Sequence, residues 1–149
     1  MAADRKPPER NVLALHVFID SRQSTPHRWG RRNGNDCASY TLDAVEALTG
    51  EDRAPDLDWT DERTGLRVIA AQGGMEAAYD RRFQRIPVAF AQRGDIAGVP
   101  DPELGIHPMI VEGTTLVGPG EHGNRRQPRS AMTIAWSAVL PAPAGPSDE

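Results

Sequence analysis

The run Trp29-Gly30-Arg31-Arg32-Asn33-Gly34-Asn35-Asp36-Cys37 constrains this chain most. Its density of Gly and Asn rules out regular structure before Asp36. From Cys37 onward, apolar groups recur at Cys37, Thr41 (its methyl), Ala44, Val45 and Leu48. That spacing is one face of a helix. The only cysteine of 149 residues therefore opens a helix. Free backbone N–H groups and the positive end of the helix dipole favour thiolate there. The thiolate is the nucleophilic form. Two considerations oppose this. A lone thiol is commonly a small packed hydrophobe. The adjacent Asp36 carboxylate also raises a thiol pKa unless it points away. Asp36 itself fits the role of helix cap.

The same reading extends along the chain. A first helix is predicted from about Glu9 to Arg22, carrying Val12, Leu13, Leu15, Val17, Phe18 and Ile19, and stopped by Ser24-Thr25-Pro26. The Cys37 helix ends at Thr49-Gly50, a C-terminal glycine signal. A third helix is predicted from about Glu62 to Gln72 and a short fourth from Met75 to Arg82, with Gly73-Gly74 between them. Beyond Phe83 the pattern changes. Ile86 to Ala91 is a short apolar run, and Gly94 to Val99 reads as a turn leading into a strand. Ile106 to Glu112 and Thr115-Leu116-Val117 flank Gly113-Thr114, a hairpin signal. Gly118 to Gly123 reads as a mobile loop, and a last strand spans about Ala131 to Val139. Helices followed by antiparallel strands define an α+β chain. One domain is expected over residues 10–139, with a disordered stretch at 1–9 and a flexible Pro-rich tail at 140–149.

Composition excludes several classes. A net charge of −4 is not the footprint of a nucleic-acid binder, which carries basic patches. No apolar run approaches the roughly 18 residues of a membrane span, and the polar start Met1-Ala2-Ala3-Asp4 is no signal peptide. A protein made in the cytoplasm and not inserted in a membrane is expected. One cysteine rules out an intramolecular disulfide and a cysteine-based zinc site. Neither a metal nor another cofactor is expected.

Several motifs, taken in order, carry a resemblance. They are Trp29-Gly30, Asp36-Cys37 opening a helix, Gly94-Asp95-Ile96, and His107 six residues before Gly113. In that order they resemble the NlpC/P60 group of papain-like cysteine peptidases. The chain resembles still more closely a family of small phage and prophage proteins of the same layout without assigned activity. The shared features there include Thr49-Gly50-Glu51-Asp52, Gly73-Gly74, Arg93-Gly94-Asp95 and Ala135-Trp136. The resemblance spans residues 10 to 139. It implies a papain-like fold with helices on a small antiparallel sheet.

It also implies site residues. Cys37 would attack, His107 would shuttle the proton, and the Cys37 backbone N–H would help hold the oxyanion. Trp29 would line the groove. The imidazole-orienting residue should come from the next strand, near Gly118 to Gly120, where the chain has no His, Asn or Gln. His122, His27 and Asp36 are the candidates for a third or accessory role. His27 stands where peptidases of the group often have Tyr, and Ala38-Ser39 where they have Ser-Gly. Asp95 is expected to be a turn residue that accepts from backbone N–H groups. Three functions follow as expectations. One is a peptidoglycan-cleaving cysteine endopeptidase at a phage tail tip, used during DNA delivery. A second is an idle structural part of the virion tail, contacting other tail-tip proteins. A third is a cellular cysteine hydrolase.

Overall fold

The computed structural model describes residues 8–143; most of the predicted disorder at 1–9 and of the predicted tail at 140–149 lies outside them. Four helices come first: α1 (Val12–Ser21), α2 (Cys37–Thr49), α3 (Glu62–Ala71) and α4 (Met75–Arg82). Six strands follow: β1 (Gln84–Ile86), β2 (Ile96–Asp101), β3 (Gly105–Val111), β4 (Thr115–Pro119), β5 (Asn124–Pro128) and β6 (Ile134–Ser137). They form one sheet in the order β1-β6-β2-β3-β4-β5, and every paired neighbour is antiparallel. The α+β expectation holds in this form.

Local chemistry sets the boundaries. α1 starts at Val12 and not at Glu9, because the Asn11 side chain accepts from the Ala14 N–H and caps the first turn. α2 is capped by Asp36 and ends at Gly50, which takes φ 83°. A left-handed residue of this kind is cheap only for glycine. The apolar run Ile86–Ala91 is not one strand. Pairing stops at Ile86, and Pro87 leads into a 3₁₀ turn over Val88–Phe90. The predicted mobile loop at 118–123 is a hairpin instead. β4 runs on to Pro119, and the Gly120 N–H donates to Gly123 O at 2.7 Å.

The sheet has two apolar faces, as the period-2 alternation of strands requires. Ile96, Ile106, Ile110, Val117 and Trp136 pack with Leu15, Ile19, Tyr40, Val45, Leu48, Tyr79 and Phe83. Ala97, Val99, Met109, Val111, Leu116 and Ala135 form a second cluster with Ala91 and Met132. α2 lies against β3 and β4. It is buried at Ala38 to Leu42, Ala44, Val45 and Leu48, so it forms the centre of the helical layer.

Asp95 ties this arrangement together. Its carboxylate is fully buried, accepts from the N–H groups of Gln92 (2.8 Å) and Ala138 (2.9 Å), and pairs with Arg10 Nη2 at 2.9 Å. The approach to α1, the turn before β2 and the end of β6 thus meet at one side chain. Removing one partner of a buried ionic cluster leaves the rest uncompensated. Asp95→Ala is expected to cost about 3–5 kcal/mol in urea denaturation at neutral pH.

Candidate functional site

The start of α2 is built around the buried carboxylate of Asp36. One oxygen accepts from the Ser39 N–H at 2.9 Å, completing the helix cap. The other accepts from the Gly30 N–H at 2.9 Å, Ser39 Oγ at 3.2 Å and Trp59 Nε1 at 2.8 Å. Ser39 Oγ also donates to Gly30 O at 2.7 Å. The Trp-Gly segment, the helix start and the loop before α3 therefore share one acceptor. Beside it Arg31 is fully buried, held by Asp43 at 2.8 Å and Asp52 at 3.3 Å. Asp36 is a structural cap with no free oxygen for acid–base work.

Cys37 follows directly. Its thiol is pushed up to about 12, chiefly by burial and next by the charge of Asp36. Asp101 adds to the rise, and the N–H groups of Ala38 and Cys37 oppose it. The helix start does favour thiolate, but the buried carboxylate and the apolar surroundings outweigh it. Desolvation and the Asp36 charge both favour the protonated thiol over the thiolate.

His107 lies on β3 opposite Val99 on β2. Paired residues of antiparallel strands share a face. The register therefore sends His107 toward the face of Val99 and Met109, whereas its neighbour Ile106 packs with the helices. Cys37 packs with the helix-side cluster. Among the described residues His107 Nε2 is buried and makes no hydrogen bond, so no bond joins it to Cys37. The Cys37–His107 dyad expected from sequence is not formed in this structure.

His107 has another partner. Its Nδ1 faces Asp101 Oδ2 at 3.2 Å. Asp101 Oδ1 accepts from the N–H groups of Glu103 and Leu104 at 2.8 and 2.9 Å. Burial works against ionisation of Asp101, yet these N–H groups and His107 hold the carboxyl below its usual range. The carboxylate that orients the imidazole thus comes from the preceding strand, not from Gly118–Gly120. Sequence reading missed it because Asp101 sits in the Pro-rich run Val99-Pro100-Asp101-Pro102. The usable signal was the hairpin itself, since Asp101↔Gly105 and Val99↔His107 fall on the same face.

Among the described residues, no hydrogen bond joins the remaining candidates to this pair. His122 is exposed in the turn between β4 and β5. His27 is exposed, packs edge-on against Trp29 with ring centres 5.8 Å apart, and its N–H donates to Gly120 O. Trp29 is half-buried and does line a cavity with Asp36 and Cys37.

Residues 10–138 match the family described as a domain of unknown function, DUF6950, and the chain belongs to that family. No curated protein matches it. Among the described residues, no helix is long and apolar enough to cross a membrane.

Two outcomes follow. Asp36→Ala leaves three buried N–H donors without an acceptor and is expected to cost about 3–5 kcal/mol by thermal or urea unfolding. Asp101 is ionised more readily folded than unfolded. Its contribution is therefore complete above its unfolded pKa of about 3.9 and lost as pH falls through its lower folded value. Wild type should lose more stability than Asp101→Asn when the pH is lowered from about 5 to about 2.

Proposed function

We propose that this protein is a phage tail-tip or tail-assembly protein with an NlpC/P60-like, papain-like fold whose peptidase site is idle. It acts as a structural component among other tail proteins. The observation that carries the idle-site part is that, among the described residues, no imidazole is hydrogen-bonded to Cys37, a half-buried residue whose thiol is pushed up by desolvation and then by Asp36. A nucleophile needs the reverse, a lowered pKa and an adjacent base. The phage context and the fold name rest on the ordered resemblance of Trp29-Gly30, Asp36-Cys37, Gly94-Asp95 and His107. A cysteine-led helix packed on an antiparallel sheet is consistent with them.

A second reading has one observation in its favour. The Asp101–His107 pair is an oriented imidazole with its other nitrogen unused. In a peptidoglycan-cleaving cysteine endopeptidase that nitrogen would take the thiol proton. The ring would first have to reach the helix-side face, and the thiol would have to leave its apolar surroundings.

The two readings separate by experiment. Purified protein incubated with peptidoglycan is expected to release no more soluble fragment than Cys37→Ala. Virions carrying Cys37→Ala are expected to keep wild-type infectivity, with the protein detected in purified particles. Fragment release that vanishes in both Cys37→Ala and His107→Ala would establish the endopeptidase. Absence of the protein from particles would remove the tail assignment.

A further inference from the structure

We propose that the cavity between α2, α3 and α4 is a binding site for a small, neutral, mainly apolar molecule carrying one hydrogen-bond acceptor. The inference rests on neither the idle-site reading nor the tail reading. The walls of this partly open cavity include Trp29, Leu57, Val68, Ile69, Met75 and Phe83. Small-molecule sites are mostly apolar, with few polar groups to fix orientation.

The polar groups on the wall decide the ligand's chemistry. The Asp36 carboxylate is occupied by Gly30, Ser39 and Trp59. The Tyr79 hydroxyl is bonded to Thr41 Oγ1. Gln72 Oε1 accepts from Arg82 Nη2 at 3.2 Å. Both terminal nitrogens of Arg82 also reach the carboxylate of Asp56, at 2.8 and 3.2 Å, so its charge is already matched. One donor remains. Arg82 Nε is buried and has no acceptor among the described residues. A buried unmatched donor favours a ligand that supplies an acceptor. A neutral carbonyl or hydroxyl oxygen does this. A carboxylate would bring an uncompensated negative charge into an apolar space that Asp36 already borders.

The covering element suits a binding site. α3 buries only Gly65. A Cβ there would stand 2.7 Å from Trp29 Cε3 and 3.1 Å from Trp59 Cδ1, so glycine lets the helix rest directly on two indoles. Val68 and Ile69, one turn on, complete the wall from above.

The test uses the full chain. The neutral dye N-phenyl-1-naphthylamine is titrated by fluorescence, then displaced with 1-octanol or with octanoate above its pKa. Saturable binding of one dye per chain is expected, with 1-octanol displacing it and octanoate weaker by about tenfold or more. Ala78→Leu places a larger side chain on the wall and is expected to weaken the dye by about tenfold. Cys37 gives a second readout in wild type, independent of whether that variant folds. It lines the cavity and is the only cysteine, so 1-octanol should slow its alkylation at about pH 10. Three results would each overturn the proposal: no saturable dye binding, octanoate competing as well as 1-octanol, or Cys37 alkylation indifferent to 1-octanol.

Discussion

The carboxylate of Asp36 is the constraint on which the rest depends. It caps α2, fixes the Trp29-Gly30 turn through the Gly30 N–H and anchors the loop before α3 through Trp59. Three segments far apart in sequence therefore converge at the first turn of the central helix. The same charge sits next to Cys37 and, after burial, is the largest cause of its raised pKa. The group that positions the cysteine also keeps it protonated. Helix-start placement alone does not make a nucleophile: the local field of N–H groups competes with a buried anion one residue away, and here the anion and desolvation prevail.

The surrounding ionic structure has the same character. Arg31 is buried without any exposure and held between Asp43 of α2 and Asp52 of the following loop. Asp95 draws Arg10, Gln92 and Ala138 to one point beside the sheet. Such groups specify one arrangement because breaking any member leaves the others unmatched in an apolar setting. The Asp101–His107 pair extends the pattern to the β2–β3 hairpin, where the carboxylate also closes the turn through Glu103 and Leu104. The turn N–H groups together with His107 account for its lowered pKa.

Much of this was legible from the residues. The α2 helix was readable because its apolar spacing, its Asp cap and its terminal Gly50 agree. Asp95 was readable as an acceptor of backbone N–H groups because Gly94-Asp95 marks a turn. β5 was not, since Asn124-Arg125-Arg126-Gln127-Pro128 has no apolar alternation; it is an edge strand paired only to β4. The burial of Arg31 was hidden because an Arg-Arg pair looks like surface charge until Asp43 and Asp52 are brought against it. The pairing of the site residues was not legible, because it depends on register. Side-chain direction in a strand has period 2, so a one-residue difference exchanges the faces. Spacing places His107 on a strand but does not say which face its side chain takes.

The most direct test is the pH dependence of Cys37 alkylation in wild type and His107→Ala. A half-buried thiol beside Asp36 and unpaired with imidazole should react slowly at neutral pH, titrate well above the free-cysteine value of about 8.5, and behave alike in both proteins. A titration below that value that moves upward when His107 is removed would contradict the account and establish a working thiolate–imidazolium pair.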